Sequence, residues 1–161
     1  MTGLLTSPLS PCMPPATNRN THGNILIVDD NALGLVARRS VLQELGHSIE
    51  TSSGPEDALV LCKQHNFDLI VTDFKMPNIN GIEFIQQLRS AGILAPVILL
   101  SGFTDTLGLS EANTVADAVI QKSSNEVAHL IRSVNRLLKK PLKKPAGSQG
   151  SPITAKKRAA E

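Results

Sequence analysis

From residue 24 onward, short apolar runs alternate with longer stretches of mixed polarity. The runs at 24–28, 68–72 and 96–100 are apolar at nearly every position and rich in β-branched residues, as strands covered on both faces must be. Weaker runs near 47–51 and 117–121 predict two more strands. Between them lie four stretches with helical spacing. The first, 32–45, places Leu33, Val36, Ala37, Val41 and Leu45 on one stripe and closes at Gly46, a residue suited to ending a helix. The second opens at 53–57, where Pro55 and the acids Glu56 and Asp57 favour initiation, and continues through Ala58, Leu59, Leu61 and Cys62. The third covers 81–90 (Ile82, Phe84, Ile85, Leu88), and the last covers 124–138 (Val127, Leu130, Ile131, Val134, Leu137, Leu138). A fifth stretch, 104–114, contains Gly108 and few strong helix formers, which predicts a short or mobile helix. Five strands alternating with five helices predict an α/β fold, a doubly wound parallel sheet with helices on both faces.

The flanks read differently. Residues 1–23 carry Pro8, Pro11, Pro14 and Pro15 among Ser, Thr and Asn, which predicts a disordered lead-in. No basic start precedes its apolar residues, so a secretion signal is a poor match. Residues 141–161 lose all periodicity and are expected to form a disordered basic tail, leaving 24–140 as the folded domain. From Lys139 to the end, seven cationic residues face only Glu161, a net +6 that leaves −4 on the rest of this +2 chain. The tail raises the question of nucleic acid, but no DNA-binding motif accompanies it and no such partner is expected. With 41% hydrophobic residues but only 2% aromatics the core must be aliphatic. No apolar run approaches the ~18 residues of a membrane span. Cys12 and Cys62 lie far apart in unlike settings, so neither a disulfide nor a metal framework is indicated, and the reading is cytoplasmic. His22, His47, His65 and His129 show no ligand spacing.

The chemistry gathers at strand ends. The run at 24–28 leads into Asp29 and Asp30, that at 68–72 into Asp73, that at 96–100 into Ser101, and the weaker last strand into Lys122. In an open parallel sheet these ends share one edge, and the crevice lies where strand order reverses. Three carboxylates there repel one another by roughly 1–4 kcal/mol per pair at ~4 Å. Such a cluster calls for a cation, and hard oxygen donors suit Mg2+. The Asp29-Asp30-Asn31 run lacks the spacing of an EF-hand calcium loop. With Lys122 as a second positive charge and Ser101 as a donor, the set has the parts of a phosphoryl-transfer site in which Asp73 is the acceptor.

Taken together, Ile25-Leu26-Ile27-Val28-Asp29-Asp30-Asn31, Asp73-Phe74-Lys75-Met76-Pro77-Asn78-Ile79-Asn80-Gly81, Leu99-Leu100-Ser101-Gly102 and Lys122 resemble the receiver domain of two-component response regulators. The order and spacing agree as well, 28 residues from Asp73 to Ser101 and 21 from Ser101 to Lys122. The resemblance implies a flavodoxin-like fold with strand order 2-1-3-4-5 and a single-domain, chemotaxis-regulator-like bacterial switch. It makes Asp73 the phosphoacceptor, charged from a phosphohistidine on a sensor histidine kinase or phosphotransfer protein in a phosphorelay. It makes Asp30 a direct ligand of Mg2+, Asp29 one acting through water, and Asp73 and the Lys75 carbonyl further ligands. Ser101 would report phosphorylation, Lys122 would pair with the acyl phosphate, and Pro77 and Gly81 would shape the loop after Asp73. Such a protein is no turnover enzyme: it catalyses only its own phosphorylation and dephosphorylation, and signals by contact with a downstream protein. Lys75 and Phe103, two beyond Asp73 and Ser101, would hinder the attacking water and prolong the phosphorylated state.

Three departures from the family pattern lie together. Val119 stands where an aromatic switch residue is common, Ser123 where Pro often follows the lysine, and Val115-Ala116 where Gly-Ala is usual. They leave open a receiver-like adaptor that works without phosphorylation. A haloacid-dehalogenase-type phosphatase would need Asp-x-Asp after the first strand, which Asp29-Asp30-Asn31 does not supply. Blander roles also exist for single residues: Asp29-Asp30 as a helix cap, Lys122 as a solvated lysine, Ser101 as a turn residue.

Overall fold

The computed structural model describes residues 22–102 and 108–139. Most of the lead-in, the tail beyond 140 and Phe103 lie outside them. Five strands, β1 (Asn24–Val28), β2 (Ser48–Ser52), β3 (Leu69–Asp73), β4 (Val97–Ser101) and β5 (Ala118–Gln121), form one parallel sheet in the order β2-β1-β3-β4-β5. The intervening helices are α1 (Ala32–Glu44), α2 (Pro55–Gln64), α3 (Gly81–Ser90), a single turn α4 (Glu111–Thr114) and α5 (Glu126–Leu138). This is the predicted fold and strand order.

Alternation along the strands divides the core into two layers. Ile25, Ile27, Leu69, Val71, Ile98 and Leu100 pack with Leu42 of α1 and Leu130, Val134 and Leu137 of α5. Leu26, Val28, Ile70, Val97 and Leu99 pack with Ala58 of α2 and Phe84, Ile85 and Leu88 of α3. With no Trp or Tyr available, Phe84 is the largest fully buried side chain among the described residues. The central strands β1, β3 and β4 are buried at nearly every position because helices cover both faces.

Two strands run one residue further than their apolar stretches suggest. Asp73 pairs with Leu100 and Ser101 with Gln121, so each polar residue is the last rung of its own ladder. Both residues are buried, and backbone pairing continues through them whatever the side chain.

The turn of α1 about its axis departs from the expected stripe. Leu33 and Val36 are 81% and 62% exposed, and Ala37 and Leu45 also face outward. The inward face carries Leu35, Arg38 and Leu42. A buried arginine with two acidic partners settles the rotation, and residue polarity alone misassigns it. The helix ends as expected at Gly46 (φ +92°), where the Gly46 N–H donates to Gln43 O and the His47 N–H to Leu42 O, the Schellman pattern. His47 is buried against His22, ring centroids 6.1 Å apart, and its Nδ1 accepts from the Gly23 N–H. Its role is structural.

Val115 adopts φ +59°, a left-handed conformation that a β-branched side chain resists. It is also 56% exposed, so its side chain recovers little by packing. Val115→Gly should therefore stabilise the fold by about 1 kcal/mol, strain relief outweighing the added freedom of the unfolded chain. An unchanged or lower denaturant midpoint would contradict this.

Candidate functional site

Register explains why the acids meet. Val28 pairs with Thr72, so the chain leaves β1 at Asp29 directly beside Asp73 at the end of β3. Asp29, Asp30 and Asp73 each place a carboxylate oxygen within 4.8 Å of the others. Asp30 and Asp73 border a hollow of about 320 Å3 whose walls also include Asn31, Lys75, Ser101 and Lys122, with Asp29 buried behind it. Ser101 is buried in the wall, and its carbonyl accepts the Lys122 N–H at 2.8 Å, carrying the ladder one step past β5. Lys122 Nζ lies 2.9 Å from Asp73 Oδ1 and 3.9 Å from Asp29 Oδ2. All six residues singled out from sequence thus lie at or beside one hollow.

The loop after Asp73 is built around a close approach. Gly81, the first residue of α3, donates its N–H to Phe74 O at 2.8 Å. A Cβ there would stand 2.5 Å from Asp73 O and 2.6 Å from Leu99 Cδ1. Asn78 takes φ +70°, a conformation Asn tolerates better than most residues. Asn80 and Glu83 then form a reciprocal capping box. The turn is held at both ends, with Lys75 exposed at the mouth of the hollow.

Burial pushes the Asp73 carboxyl above the usual carboxylate range; Lys122 opposes the shift and Asp29 adds to it. Two acids that share a crevice with too little compensating charge favour a bound cation. The donors that the three acids bring together are hard carboxylate oxygens, which suit Mg2+ with water completing its shell.

Three participants escaped the sequence reading. Asn31 is the N-cap of α1, its side chain accepting from the N–H groups of Leu33 and Gly34. That displaces the capping role open to Asp29 and Asp30. Arg38 is ion-paired with Asp29 and, through Nε at 2.7 Å, with Glu126 at the start of α5. An arginine four residues before Leu42, inside a helix of mixed polarity, gave no signal in one dimension; only the fold turns it inward.

Comparison with known proteins places this geometry. The response regulator receiver domain matches residues 25–142. The chain belongs to the response-regulator receiver family. It is 31% identical over 116 residues to the gliding motility regulatory protein of Myxococcus xanthus, which covers 70% of this chain and 15% of that one. It is 31% identical over 88 residues to the sensor histidine kinase RcsC of Escherichia coli, covering 55% of this chain and 9% of the kinase. The receiver thus spans a small fraction of the curated relatives it matches. Among solved structures, the response regulator TrrA of Thermotoga maritima in complex with Mg(2+)-BeF superposes with a TM-score of 0.63 at 32% identity, over 71% of this chain and 97% of that one. The family is one of phosphoacceptor switches in two-component signalling, which sets aside the phosphatase alternative. Among the described residues of the receiver, no helix is long and apolar enough to cross a membrane.

Proposed function

We propose that this receiver takes a phosphoryl group onto Asp73 from a phosphohistidine of a sensor histidine kinase or phosphotransfer protein, and that the modified form signals through contacts with a downstream protein in the cytoplasm. The observation that supports this most directly is the approach of Lys122 Nζ to Asp73 beside two further carboxylates clustered with it. In the transfer, an Asp73 carboxylate oxygen forms the new O–P bond as the N–P bond of the phosphohistidine breaks, and the released imidazole nitrogen takes up a proton. Lys122, already held at the nucleophile, would pair with the phosphoryl oxygens as charge builds on them. Ser101 would donate its hydroxyl to the same group, and Asp30, Asp29, Asp73 and the Lys75 carbonyl would hold Mg2+. When bound, Mg2+ supplies charge neutralisation between the carboxylates and the incoming phosphoryl group. The exposed Leu33 and Val36, just past Asp30 and Asn31 at the mouth, would offer a phosphodonor helix an apolar seat.

Incubation with acetyl phosphate and Mg2+ should yield a species about 80 Da heavier, one phosphoryl group, in wild type. Asp73→Asn, or wild type with EDTA, should yield none. Absence of the adduct in wild type would favour the phosphorylation-independent adaptor, for which Val119 and Ser123 at the β5 end are the supporting features.

A further inference from the structure

Arg38 faces inward from α1 between Leu35 and Leu42, a position where helical spacing alone would place an apolar side chain, and is 7% exposed. Its guanidinium is ion-paired with Asp29 Oδ2, and its Nε donates to Glu126 Oε1 at 2.7 Å. Space for this contact comes from a missing side chain one turn earlier. A Cβ on Gly34 would lie 2.8 Å from Arg38 Nη1 and 3.1 Å from Asp29 Oδ2. The other oxygen of Asp29 accepts the Asn31 N–H at 2.9 Å. Asp29, 1% exposed, therefore has both oxygens engaged by this chain before any ion arrives. Asp30, by contrast, is exposed at the hollow.

From this arrangement, and resting on the metal-dependent reading above, we propose that Arg38 is a built-in counter-cation of the carboxylate cluster. It is a positioning residue that holds Asp29 and lowers the affinity of the hollow for Mg2+. A guanidinium stays charged across the accessible pH range, is less strongly hydrated than an ammonium and fits two acidic partners at once. Its positive charge acts over a short distance in a largely buried setting, where screening is weak. Divalent binding must work against that charge. Glu126 anchors the guanidinium from α5, so the tuning group is also a strut between α1 and the last helix.

The test is calorimetric titration of Mg2+ into the full chain, in phosphate-free buffer, for wild type, Arg38→Met and Gly34→Ala. Arg38→Met should bind Mg2+ about tenfold more tightly than wild type, the effect of removing one nearby positive charge. A residue that merely props up the site would leave affinity unchanged or weaken it on removal, and either result overturns the proposal. Should Arg38→Met fail to fold, Gly34→Ala decides the matter: its methyl group displaces the guanidinium from Asp29 without removing it, and tighter Mg2+ binding is again expected. Wild type that binds Mg2+ and forms the acetyl phosphate adduct, alongside variants that bind no more tightly, refutes this inference alone. Wild type and both variants all failing to bind would refute it together with the reading it rests on.

Discussion

Gly81→Ala destabilises the protein by about 1–3 kcal/mol, the cost of forcing a methyl group into a packed site. For a domain of this size that corresponds to a drop in Tm on the order of 10 °C. Gly81 does not hold an unusual backbone angle; it is needed because three groups converge on it. The Asp73 carbonyl would sit 2.5 Å from the new Cβ, Leu99 Cδ1 2.6 Å and Phe74 Cα 3.0 Å. Two of these are backbone and cannot swing aside, and one belongs to the proposed phosphoacceptor. Relief requires either that α3 retreat, loosening the Phe84, Ile85 and Leu88 layer, or that the end of β3 shift and carry Asp73 with it. Both responses lower stability, and the second also slows phosphorylation by acetyl phosphate. An Ala variant with wild-type Tm and wild-type phosphorylation would show that the loop is not held as described.

Asp73→Asn should abolish phosphorylation and, in the absence of divalent ions, raise stability at neutral pH. Burial holds the Asp73 carboxyl above its ordinary range, against the pull of Lys122. A carboxyl whose folded pKa is raised adds stability that is fully present below the unfolded value of about 3.9, and that stability is lost as pH rises through the folded pKa. At pH 7 in EDTA the ionised Asp73 is therefore a net cost, which Asn removes, and Tm should rise by roughly 1–4 °C. The difference should shrink as pH falls through the raised folded pKa, because wild type then becomes neutral as well. Saturating Mg2+ should reverse the ranking, because a ligand at a hundred times its Kd stabilises the native state by about 2.7 kcal/mol, and the variant has lost one ligand. A variant less stable than wild type in EDTA at pH 7 would mean that the Lys122–Asp73 pair outweighs the burial of the charge.

These two expectations draw on different layers of information. Strand ends bearing Asp29, Asp30, Asp73, Ser101 and Lys122 are legible from one dimension, because a parallel sheet sends every strand's C-terminal end to the same edge. The consecutive apolar positions of β1, β3 and β4 likewise reveal burial on both faces. What polarity patterns could not supply was the rotation of α1. Its apolar residues are spread widely enough to support more than one buried face, and Leu33 and Val36 read as core until Arg38 claims the interior.

One-dimensional patterning is enough to specify the alternation of elements, the doubly wound sheet and the residues at its functional edge, since these follow from continuous apolar runs, from helical spacing near 3.6 and from the geometry of parallel strands. Tertiary structure alone decided that Asp73 and Ser101 are the final rungs of their strands, that Asn31 rather than an acid caps α1, and that Val115 sits in a left-handed turn. It alone brought Arg38 to Asp29 across nine residues and to Glu126 across 88. The reason is physical: a buried charge is stable only where partners from distant segments converge, and no local pattern records that convergence.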